Sequence, residues 1–77
     1  MNSDFMQEQS RAFADRLNKE CNRDNRACEV NTAWRLVLGR APSAGEQKLA
    51  KRFFASGGSV VDMCLALLNR NEFVYVP

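Results

Sequence analysis

The groups that could do chemistry in this 77-residue chain are few, and three of them are thiols: Cys21, Cys28 and Cys64. Histidine is absent. That removes the commonest general base, the commonest zinc and haem ligand, and the side chain that senses pH near neutrality. Three thiols without a C-x-x-C pair do not match the spacing of a zinc site or of c-type haem attachment, so neither a metal nor a cofactor is expected. Cys21 falls near the end of the first helical segment and Cys28 in the first turn of the second. A bridge between them is open to the chain if those ends approach within about 7 Å. Three reduced thiols are the alternative, with Cys64 a small buried apolar residue in either case.

The second group is cationic. Arg35, Arg40, Lys48, Lys51 and Arg52 fall on the second and third helical segments and would share one basic surface if those helices lie side by side. Glu29 and Glu46 dilute that surface. With 11 cationic against 9 anionic side chains, net charge +2, the chain lacks the strongly basic stripe of a dedicated nucleic-acid binder. A solvated face is therefore the simpler reading, and nucleic-acid binding the alternative. Ser43 and Ser59 would be the candidate nucleophiles, but each stands where a helix cap is needed, with Glu46 and Asp62 three residues on, where an acid complements the helix start. Trp34 and the pair Phe53 and Phe54 recur at helical spacing and read as core rather than as a ligand pocket. No catalysis of the chain's own is expected.

Four helical segments must position these groups, and their apolar residues recur nearer to every 3.6 positions than to every second one. In the first, Phe5, Met6, Ala12, Phe13 and Leu17 are taken as the inner face, with Asn2 or Ser3 as N-cap and Arg11, Asp15 and Lys19 pairing on the wet side. The polar run Asn22-Arg23-Asp24-Asn25 ends it and offers a cap to the second, whose Ala27, Val30, Trp34 and Val37 form a stripe and whose stop is Gly39. Pro42 prevents continuation, and Ser43-Ala44-Gly45-Glu46 matches the S-x-x-E capping box that opens a third helix, with Leu49, Ala50, Phe53 and Phe54 inward. Gly57-Gly58 breaks that helix. Ser59 then caps a fourth, so apolar from Val60 to Leu68 that it should be the most buried. Short connections predict an all-α, compact four-helix bundle in a single domain spanning residues 1–77. After the corner Asn69-Arg70-Asn71-Glu72, an extended tail would alternate Phe73 and Tyr75 with Val74 and Val76, one pair closing the core and the other meeting a neighbouring domain.

At 45% apolar and 26% charged, the composition is that of a folded globular chain. No apolar run approaches the roughly 18 residues of a membrane span, and no basic region followed by an apolar stretch marks a secretory signal.

Three stretches in register carry a resemblance: NSDFMQEQSRAFADRL, AWRLVLGRAPSAGE and LALLNRNEFVYV. Together they resemble the C-terminal part of the planctomycete-specific domain of unknown function that occurs in large multidomain proteins with planctomycete cytochrome-type haem domains. The resemblance covers nearly the whole chain. It implies a non-catalytic structural or interaction module, excised from the C-terminal end of a larger protein, whose partners are other domains of the same polypeptide. It also implies an exported or envelope-associated parent, a setting that favours the Cys21–Cys28 bridge. The segment contains no C-x-x-C-H, so the haem chemistry of the companion domains transfers to no residue here. A redox-responsive element in which Cys21 and Cys28 cycle between thiol and disulfide is a further alternative.

Overall fold

A computed structural model describes residues 3–22 and 25–69. These residues are all-α, four helices in the order α1 (Ser3–Glu20), α2 (Arg26–Leu38), α3 (Ala44–Ala55) and α4 (Val60–Asn69). Among the described residues there is no strand. The tail residues Phe73, Val74, Tyr75 and Val76, the corner residues Arg70 to Glu72, the cap candidate Asn2 and the turn residues Arg23 and Asp24 lie outside the described residues.

The starts of α2, α3 and α4 lie where side-chain chemistry supplies a partner for orphaned backbone groups. Asn25 caps α2, its Oδ1 accepting from the Cys28 N–H at 3.1 Å. Gly39 ends α2 in the left-handed region at φ 74°, where its N–H returns to the Arg35 carbonyl. Ser43 and Glu46 form the expected capping box of α3. A second reciprocal pair opens α4: the Asp62 N–H donates to Ser59 Oγ at 3.1 Å and the Ser59 N–H to Asp62 Oδ2 at 3.3 Å.

One core joins all four helices, and its largest fully buried side chains include Leu17, Trp34, Met63 and Leu67. The central helix is α4, packed most extensively on α1 and also on α2. Its Met63, Cys64, Ala66 and Leu67 are all buried, which agrees with its near-continuous apolar sequence.

The inner face of α1 differs from the expected one. Phe5 is 54% exposed and Ala12 is exposed, whereas Ser10, Ala14, Leu17 and Cys21 are buried. That face is rotated by about a quarter-turn from the mean direction of the larger apolar residues. The cause is the close approach of α4: small side chains let two helices come together, and Ser10 tolerates burial because its hydroxyl donates to the Met6 carbonyl at 2.7 Å. On the wet side Arg16 and Glu20 form an ion pair at 3.7 Å, both partners well exposed, so it adds little stability. In α3, Ala50 is buried and Phe53 and Phe54 are half-buried as expected, but Leu49 stands at the edge of the stripe and is 49% exposed. Ala27, assigned to the stripe of α2, is exposed as well.

The turn from α3 to α4 uses its two glycines differently. Gly57 takes φ 98°, a conformation open to glycine at no steric cost. Gly58 has no room for a side chain, because a Cβ there would run into the Phe53 ring. Gly58→Ala is therefore expected to displace that ring and destabilise the fold by about 1–3 kcal/mol. Chemical denaturation followed by circular dichroism reads this out, and an unchanged midpoint would show that Phe53 swings aside freely.

Candidate functional site

The segment LGRAPSAGE folds into a corner in which one carboxylate serves several donors. Glu46 takes both guanidinium nitrogens of Arg40, Nη1 to Oε1 at 2.7 Å and Nη2 to Oε2 at 2.9 Å, and its Oε1 also accepts the Ser43 N–H at 2.8 Å. The buried Trp34 also stabilises the ionised carboxylate, through a contact looser than a regular hydrogen bond. The hydrogen bonds from Arg40 above all, helped by the Ser43 N–H and Trp34 and opposed by partial burial, hold the Glu46 carboxyl at about 2. Arg40, expected on a shared basic face, is thus the partner of a helix-capping acid. Pro42 is buried beneath this corner, and the Gln47 amide donates to its carbonyl at 3.4 Å.

The remaining cations separate. Lys48, Lys51 and Arg52 border one shallow depression on α3 together with Gly45 and the exposed Leu49. Arg35 is exposed in the last turn of α2.

Between α2 and α3 runs a cleft of about 270 Å³. Val30, Ala50 and Phe54 line its apolar part, and Arg26 and Lys51 stand among its polar walls. Below Arg26 lies a feature that sequence reading missed. Glu29 is only 1% exposed, and its Oε1 accepts from Arg26 Nη1 at 2.9 Å. Arg26 also lies over the Phe54 ring, 4.4 Å from its centre, so a single guanidinium both neutralises a buried acid and ties α2 to α3. The signal available in the sequence was the R-x-x-E spacing of Arg26 and Glu29, which places both on one helix face.

The cysteines divide as follows. Cys21, immediately after α1, and Cys28, in the first turn of α2, are joined by a disulfide with their Cα atoms 5.8 Å apart. The Thr32 hydroxyl lies 3.6 Å from Cys21 Sγ and 3.9 Å from Cys28 Sγ. Cys64 is a buried free thiol in the core, pushed up to about 12 by burial and by the nearby Glu29 charge. Among the described residues no group of three or more metal-ligating side chains converges, and no helix is long and apolar enough to cross a membrane.

No family model, curated protein or solved structure matches the chain. The arrangement places cations beside an apolar cleft, next to a corner whose own charges are paired.

Two expectations follow. Folding lowers the Glu46 pKa from 4.5 to about 2, so its contribution to stability is complete above the ordinary carboxylate value and is lost as pH falls from about 4.5 toward 2. Thermal melts across that range should show a loss of stability that is smaller in Glu46→Gln, which starts from a lower melting temperature at neutral pH; parallel curves would show that other groups carry the acid sensitivity. The disulfide closes a loop of sequence separation 7, so reduction should remove about 2–3 kcal/mol. Intact mass without reductant should show the loss of one pair of thiol hydrogens, and Cys64 should take up iodoacetamide only after denaturation. Three alkylated thiols in the native, unreduced protein would contradict both assignments.

Proposed function

We propose that this chain is a non-catalytic interaction module, the C-terminal helical segment of a larger multidomain protein of the planctomycete type, whose partners are other domains of the same polypeptide. The observation that carries this reading is the apolar surface left open outside the core. Leu36 on α2 is 43% exposed and Leu49 on α3 is 49% exposed, in addition to the apolar wall of the α2–α3 cleft. Isolated exposed leucines are ordinary, so the open cleft walled by Val30, Ala50 and Phe54 is the feature that suits a partner, with Leu36 and Leu49 as further apolar contacts outside it. The three motifs in register support the family reading, and a disulfide between Cys21 and Cys28 suits an exported or envelope-associated parent.

Nucleic-acid binding is the second reading, and it rests on the grouping of Lys48, Lys51 and Arg52 around one depression of α3. It would show as salt-dependent affinity for a random-sequence oligonucleotide. The redox-responsive alternative rests on Cys21 and Cys28 alone and requires the bridge to open at the potential of its compartment.

The deciding experiment titrates this chain against the remainder of its parent polypeptide, produced separately. Saturable binding that falls by about tenfold or more in the double variant Leu36→Lys and Leu49→Lys is expected for an interaction module. Absence of binding, or binding indifferent to that variant, would remove the reading.

A further inference from the structure

We propose that the cleft between α2 and α3 is a docking site for an acidic peptide segment that inserts one large apolar side chain. This rests on the reading of the chain as an interaction module and names the chemistry of its partner. The cleft, about 270 Å³, has room for a single anchoring side chain against Val30, Ala50 and Phe54. Its charge is one-sided. Glu29 is buried and matched by Arg26, whose side chain remains half-exposed, while Lys51 lines the cleft from α3. Lys48 and Arg52 border the adjoining depression on α3 that shares Lys51 with the cleft, so carboxylates flanking the anchor would meet positive charge extending from the cleft along that helix.

Two amide side chains suit the backbone of such a peptide. Asn31 donates from Nδ2 to the Ala27 carbonyl at 2.9 Å, and Gln47 from Nε2 to the Pro42 carbonyl at 3.4 Å. Each amide is thereby fixed in orientation, and its oxygen is left to accept a visiting N–H. The same geometry disfavours a nucleic acid. Phe54 is the aromatic ring lining the cleft, and the Arg26 guanidinium covers one of its faces while Phe53 packs edge-to-face at 5.4 Å between centroids. A base could stack on the face under Arg26 only by displacing that guanidinium.

The test uses the full 77-residue chain and a fluorescein-labelled peptide, acetyl-Glu-Asp-Phe-Asp-Glu-amide, followed by polarisation and by backbone amide shifts in ¹⁵N spectra. Expected is saturable binding that weakens with salt, with the largest shifts at Val30, Asn31, Ala50 and Phe54. Replacing the peptide Phe by Ala, charge reversal by Lys51→Glu, or filling the cleft by Ala27→Trp should each weaken binding about fivefold to tenfold. Lys51 and Ala27 are both exposed, so the two variants should retain the wild-type circular dichroism spectrum, which is measured first. No binding, shifts located elsewhere, affinities unchanged in both variants, or tighter binding of a random-sequence DNA oligonucleotide at the same amides would each overturn the proposal. If the peptide fails while the parent remainder still binds through Leu36 and Leu49, the cleft assignment falls and the interaction reading stands; if both fail, both fall.

Discussion

The Glu46 carboxylate is the constraint on which the arrangement of α2 and α3 depends. It sits in the first turn of α3, where an acid already complements the positive end of the helix. Both of its oxygens are used, by the fork of Arg40 and by the Ser43 N–H, while Trp34 reaches it from the core side. A single side chain therefore joins the end of α2, the connection after it and the start of α3. Bidentate pairing adds direction to attraction, so side chains as well as backbone specify the corner that leads into α3. Beyond that corner Ala50 and Phe54 stand across a cleft from Val30.

The rest of the fold meets the difficulty of making a core from so few residues. A chain of this size buries a smaller fraction of its surface than a larger domain does, so close packing and covalent help count for more. Small residues supply the first: Ser10, Ala14, Ala33, Ala50 and Ala66 are all buried, and they let the larger Leu17, Trp34, Met63 and Leu67 interdigitate. The Cys21–Cys28 bridge supplies the second, at the turn between α1 and α2. Against this background the burial of Glu29 is costly, and the structure compensates it with one guanidinium that also rests on Phe54. A buried acid held in this way orients Arg26 toward the mouth of the cleft, which gives a stability device a consequence for recognition.

What was legible in the sequence was everything that depends on near neighbours. Gly39, the Ser43–Glu46 box, the Gly57-Gly58 break and the cap at Ser59 each act within a few residues, so they mark four helices without reference to the rest of the chain. The near-uniform apolarity of α4 likewise announces its central place, because its polar residues Asp62 and Asn69 stand near its two ends and leave almost no polar face between them. Tertiary structure decided which face of each helix turns inward. In α1 the close approach of α4 favoured Ser10 and Ala14 over Phe5 and Ala12, and in α3 Leu49 fell at the rim of the core. It also decided the fate of the charges: Arg40 left the proposed basic face for Glu46, and Glu29 left the surface for the core. Periodicity shows that a helix has an apolar side, but which polar groups can be buried depends on partners brought together only by the packing of distant helices.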